Sequence, residues 1–190
     1  MYSCTCDADK VVQPSFEQEA KKYTSQDSTF CITYFLDSSY ESGGPIINGE
    51  KNGYWKYFYD AEQIREQGLY KNNLKSEWWE EFYADGIRKA QGTYVNGKRD
   101  GYWWFYYSDG SLKQHAEFKN DKIEGWCYNY NESPQLINEG EYHLGVKEGY
   151  HKTYKNGNLE SEGKYIHNKK WGTWKYYDTD GKLINQENIE

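Results

Sequence analysis

The chain has 190 residues, with 21 Tyr, 8 Trp and 7 Phe, a formal net charge of −7 and only about 15% Leu, Ile, Val and Phe together. So few aliphatic residues with appreciable charge would ordinarily read as disorder, but each large aromatic can bury roughly 150–250 Å², which brings a folded core within reach. The acidic balance argues against a broad phosphate-binding face for nucleic acid, and no apolar run approaches the ~18 residues of a spanning helix, so neither a nucleic-acid partner nor membrane insertion is expected.

Residues 1–29 read as an N-terminal segment. They lack a basic start followed by an apolar stretch, so no intact signal peptide is present and a cytoplasmic protein is expected. The alternative is a cell-envelope lipoprotein anchored at Cys4 after a leader has been trimmed, because the chain opens MYSCTCD. Ser15 and Gln18, following Pro14, match a helix capping box and predict a short helix over residues 15–23. FCITYFLDSS at 30–39 fits the end of a degenerate repeat and predicts a capping hairpin over 30–43. Cys4, Cys6, Cys31 and Cys127 show neither a disulfide framework nor a paired zinc spacing, and are expected to be free thiols.

From residue 44 to 190 the chain repeats itself. Gly44, Gly68, Gly92, Ala116, Gly140 and Gly163 open successive segments spaced 24, 24, 24, 24 and 23 residues apart. Two places on stand Ile46, Tyr70, Tyr94, Phe118, Tyr142 and Tyr165, and nine places on Gly53, Glu77, Gly101, Gly125, Gly149 and Gly172. Eleven places on come Trp55, Trp79, Trp103, Cys127, His151 and Trp174, and fourteen places on an aromatic in every repeat, Phe58 through Tyr177. Aromatic segments such as WKYFY favour a pleated surface. Asp85-Gly86, Asp109-Gly110, Asn156-Gly157 and Asp180-Gly181 are hairpin-turn signals. Each repeat is therefore one β-hairpin plus a connecting turn. The predicted fold is all-β, an elongated single array of stacked antiparallel hairpins.

The pattern G-x-Tyr-x-Asn-Gly-Lys-x-x-Gly-x-Trp-x-x-Tyr-Tyr-x-Asp-Gly, nearly complete at residues 92–110, resembles the MORN-repeat variant found in many bacterial proteins. The resemblance covers roughly residues 44–190 and implies an array of hairpins with no catalytic motif. Some bacterial members are described as antitoxin or immunity components. Departures fall in the fourth and fifth repeats, where Cys127 and His151 replace Trp and Glu132-Ser133-Pro134 replaces the Asp-Gly turn, so a local irregularity is expected near 126–136.

Features shared by all repeats answer to packing; residues that only some repeats carry are the candidates for function. Trp78, Tyr102, Trp104, Trp126 and Trp171 stand out, with Tyr57, Tyr59, Phe105 and Tyr107 beside them. In strict alternation Trp103, Phe105 and Tyr107 point one way and Tyr102, Trp104 and Tyr106 the other, so both faces of that strand are aromatic. The surplus concentrates in residues 54–107, either as a partner patch or as a thicker core. Glu77, Glu80 and Glu81 cluster there and suit a basic partner. The four histidines occupy different places in the repeat, and none has a metal-ligand spacing. His151, in a Trp place, reads as a packed core residue. No catalytic residue, metal or cofactor is expected. The reading is a non-enzymatic protein-binding module of immunity or antitoxin type, docking on a basic toxin. The alternatives are a cell-surface glycan- or choline-binding protein, or a structural scaffold.

Overall fold

The computed structural model describes residues 29–34, 39–60 and 63–190; the helix expected at 15–23, Cys4 and Cys6 lie outside them. The described residues form fifteen strands: β1 (Thr29–Tyr34), β2 (Tyr40–Ile47), β3 (Glu50–Lys51), β4 (Gly53–Phe58), β5 (Ile64–Lys71), β6 (Leu74–Phe82), β7 (Arg88–Val95), β8 (Lys98–Tyr106), β9 (Leu112–Lys119), β10 (Lys122–Tyr130), β11 (Leu136–His143), β12 (Val146–Lys155), β13 (Asn158–Ile166), β14 (Lys169–Tyr177) and β15 (Leu183–Ile189). The all-β expectation holds. The chain divides into two compact halves between Lys98 and Arg99. Hydrogen bonding in the amino-terminal half runs β1-β2-β4-β5-β6-β7, with β3 paired to β2. In the carboxy-terminal half it runs from β8 to β15 in chain order. The pairings are antiparallel, as short connections require. Within the stretch read as a capping hairpin, β1 pairs antiparallel with β2, and Thr29 lies opposite Ile46.

Two kinds of turn alternate. The first is a two-residue turn with both residues at positive φ, as at Asn72-Asn73, Asn96-Gly97, Asn120-Asp121, Leu144-Gly145 and His167-Asn168. This geometry matches the twist of the flanking strands, and Asn, Asp and Gly reach it at least cost. The second kind holds the Asp-Gly pairs. There only the glycine is left-handed, as in Gly86 and Gly110, and the aspartate carboxylate caps the loop by accepting from Ile87 N or Ser111 N. Asn156-Gly157 departs from this: both residues have positive φ and the connection is a two-residue turn. The missing residue explains the 23-residue spacing there. The irregularity expected near 126–136 is confined to residues 131–135, since β10 runs unbroken to Tyr130. Asn131 Oδ1 accepts from Ser133 N and Gln135 N, doing the work of the absent aspartate.

A single sheet layer buries its tryptophans by laying them flat. Trp55, Trp79, Trp103 and Trp174 are no more than 2% exposed. A Cβ added at Gly44, Gly68 or Gly163 would lie 2.4 Å from the ring of Trp55, Trp79 or Trp174, so those rings rest on bare backbone of the strand before. Each of these indole N–H groups donates to a carbonyl ten residues earlier: Trp55 to Pro45, Trp79 to Leu69, Trp174 to Lys164. Above the rings lie ammonium groups, Lys51, Lys75 and Lys170 at 4.3, 4.0 and 4.2 Å from the ring centres. Tyr70 and Tyr165 meet Trp79 and Trp174 edge to face at 5.1 Å each. Glycine, indole, cation and tyrosine edge together replace the second layer that a sheet ordinarily needs.

Candidate functional site

Alternation gives each strand a ladder face, carrying the buried tryptophans, and an opposite, open face. Phe105 stacks on Trp103 and contacts Phe118, while Tyr102 and Trp104 gather round His115, so the two faces of β8 are both aromatic as expected. Their environments differ sharply. Ladder-face tryptophans are buried, whereas Trp78, Tyr102, Trp126, Tyr150 and Trp171 are 41–55% exposed. Those exposed rings reach Trp171, so the surplus does not stop at residue 107.

The open face of the carboxy-terminal half holds a connected ring cluster. Register sets Trp104 and Tyr128 on either side of His115. The three planes are nearly parallel, with His115 5.0 Å from Trp104 and 5.9 Å from Tyr128. Tyr102 joins at 5.5 Å from His115, and Trp126 stacks on Tyr128 at 6.0 Å. His115 Nε2 is buried with no hydrogen-bond partner among the described residues, and burial holds the imidazole pKa below its ordinary value. Burial likewise raises the Tyr128 phenol, with Glu139 adding to it. The cluster is an aromatic platform suited to stacking and apolar contact.

The remaining sequence candidates scatter. Tyr57 lies on the ladder face, accepting from Lys51 Nζ at 2.6 Å and donating to Tyr70 Oη at 3.1 Å, and burial pushes its pKa well up. Tyr59 and Tyr107 tie turns together by donating to the carbonyls of Phe82 and Tyr130. Trp78 stands on the open face of the amino-terminal half, opposite Thr93. Glu80 is already engaged by Gln67 Nε2 at 2.9 Å and Arg88 Nη2 at 2.7 Å. Glu81 pairs in register with Glu66 and Ala90, on the ladder face. Glu77 occupies a bulge at φ 59°, where Gly53, Gly101, Gly125, Gly149 and Gly172 stand in other repeats. Three glutamates adjacent in sequence are thus parted by alternation and by that bulge.

His115 and Tyr128 were missed because a histidine between two aromatic strands carries no local signature. Tyr54 and Tyr150 could be found only by counting: Tyr54, Trp78, Tyr102, Trp126 and Tyr150 stand 24 apart. Tyr102 is therefore not an addition that most repeats lack but a member of a recurrent row. His151 is a packed core residue. It is 5% exposed, its Nε2 donates to the Glu141 carbonyl at 2.8 Å with the same ten-residue offset as the indoles, and Tyr142 and Tyr165 meet it edge on. Cys31 and Cys127 are buried, and burial raises the Cys127 thiol pKa. No group of three or more His, Cys, Asp or Glu among the described residues is placed to hold a metal ion.

The profile of the family described as MORN repeat variant matches residues 51–72, 99–120 and 172–190. Two of these stretches open at the ladder cations Lys51 and Arg99 and close at the following two-residue turn. The repeats left unmatched are those carrying Glu77, Cys127 with Pro134, and His151. Over the matched repeats the chain is similar to a family of protein- or lipid-binding modules rather than of enzymes. No curated protein matches the chain.

Proposed function

We propose that these repeats form a non-enzymatic protein-binding module that docks through its open face on a basic partner. The observation that carries this reading is the contrast between the two faces. Ladder-face tryptophans are at most 2% exposed, while Trp78, Trp126 and Trp171 of the open face are nearly half exposed. Half-exposed Trp and Tyr are the residues that anchor interfaces, and the net charge of −7 favours a basic partner. In its specific form the proposal is an inhibitor of immunity or antitoxin type. It acts sterically, covering the working surface of a bacterial toxin, and no chemical step is required of it.

Affinity capture from the native cells is the test, using the intact chain and a Tyr102→Ala/Trp126→Ala variant. The expected result is one basic protein held by the intact chain, released as salt is raised and lost with the variant. Equal retention by both would overturn the docking face. If the recovered protein is harmless when expressed alone, the inhibitor form fails and the binding module stands.

A further inference from the structure

The open face of the carboxy-terminal half carries a row that runs across its strands. Tyr102 on β8 lies opposite Glu117 on β9, and Trp126 on β10 opposite Glu141 on β11. Tyr150 on β12 lies opposite Lys164 on β13, which in turn lies opposite Trp171 on β14. An aromatic thus stands on every second strand, with a charged side chain between. Neighbouring strands are about 4.8 Å apart, so the rungs recur about every 9.6 Å. At Gly125 and Gly149, which occupy bulges at φ 88° and 90°, the bare backbone of the floor is covered by the carboxylates of Glu117 and Glu141. A cleft of about 500 Å³ opens there, lined by Trp126, Glu141, Gly149, Lys164 and Trp171.

We infer that this groove binds a polyproline II segment of a basic partner, one helical turn to each aromatic rung; the inference rests on the protein-docking reading above. Polyproline II advances about 3.1 Å per residue with three residues per turn, or about 9.3 Å per turn. Over the three steps from Tyr102 to Trp171 it falls out of step by only about 1 Å. An α-helix presents one stripe about every 10.5 Å and slips by nearly 3 Å over the same span. An extended strand repeats about every 6.7 Å and comes into step only at every second rung. Proline rings are flat, apolar partners for Tyr and Trp, and the ligand is already ordered before it binds. Charge selects a basic segment: Glu117 and Glu141 lie in the row, and Glu124 and Glu148 also line the cleft, against Lys164. The amino-terminal half lacks these features. There Tyr54 faces Leu69, Trp78 faces Thr93, and Glu77 fills the floor position.

The test is titration of the full chain, followed by tryptophan fluorescence, with a twelve-residue (Pro-Pro-Lys)4 peptide. Its competitors are a Gly/Ser peptide of equal length and charge, a basic helical peptide and a β-1,4-linked oligosaccharide. The expected result is saturable binding of the proline peptide alone, weakened about ten-fold or more by Trp126→Ala. Glu141→Gln is expected to weaken binding and flatten its salt dependence, while Ile184→Ala, on exposed β15, serves as the unaffected control. Circular dichroism confirms that each variant is folded. Equal binding of the Gly/Ser or helical peptide would overturn the polyproline inference and leave protein docking intact. Binding of the oligosaccharide alone would overturn both. Absence of any binding would overturn the polyproline inference, with protein docking then judged by the capture experiment.

Discussion

The ladder around Trp79 and the ladder around Cys127 are built from the same places in the repeat and filled differently. In the amino-terminal half, Gly68 lies under the Trp79 ring and Lys75 over it. In the carboxy-terminal half, Ala116 pairs with Cys127, and Ile123 stands where Lys75 did. Three positions have changed together. Without an indole, a methyl group fits where only bare backbone did, and a cation has no ring face to sit on. Each tryptophan is therefore one member of a stack, and the stack is the unit that varies. His151 marks a halfway case: it keeps the glycine beneath at Gly140, the hydrogen bond to Glu141 and a nearby Lys147, with a smaller ring.

The largest expected separation comes from truncating the two ladder residues. Trp79→Ala should cost about 3–5 kcal/mol, against about 1 kcal/mol for Cys127→Ala, read as urea midpoints; equal losses would break the comparison. Next comes the floor. Gly68→Ala places a Cβ 2.4 Å from the Trp79 ring and should cost about 1–3 kcal/mol, whereas Ala116→Gly should cost under about 1 kcal/mol. Restoring the stack tests the coupling itself: Cys127→Trp should be tolerated better with Ala116→Gly than without it. A double-mutant cycle should return an interaction of about 1 kcal/mol or more, and additivity would show that the positions are independent. Glu77→Gly should stabilise by about 1 kcal/mol, because it removes a side chain from a left-handed backbone position; an unchanged midpoint would show that Glu77 bears no strain.

The gentlest test is pH. Burial depresses the pKa of both His151 and His115, so the folded state binds their protons less readily than the unfolded chain does. Their contribution is complete above about pH 6.5 and is lost as pH falls through the lower folded values. Urea midpoints should hold from pH 7.5 to 6.5 and drop by 5.5. That window lies above the one for Glu124 and Asp109, whose carboxyl pKa values are also lowered. His151→Trp should shrink the drop without abolishing it, since His115 remains; an undiminished drop would remove His151 from the account.

Much of the fold was legible because its cause is local. Asn-Gly and Asp-Gly turns, alternating aromatics and a fixed period act within a few residues, and they specify hairpins directly. The open-face row was legible in part. Trp78, Tyr102 and Trp126 were picked out by chemistry, while Tyr54 and Tyr150 needed the period to be applied to that place. Glu77, Glu80 and Glu81 are parted by alternation and by a bulge, because nearness in sequence is not nearness on a pleated strand. Phe105 and Tyr57 lie partly covered on the ladder face, because ring type says nothing of which face is covered.

The sequence by itself determined the period, the antiparallel hairpins and the two alternating faces of each strand, since all three follow from short-range backbone preferences. Only the tertiary structure decided which face is buried. That outcome depends on a glycine of one strand lying under an indole eleven residues on in a neighbouring strand, with a lysine four residues before the indole closing over it. Chain periodicity marks such positions but does not say how the ring lies. Its flat orientation is what closes the ladder face and leaves the rings of the opposite face exposed.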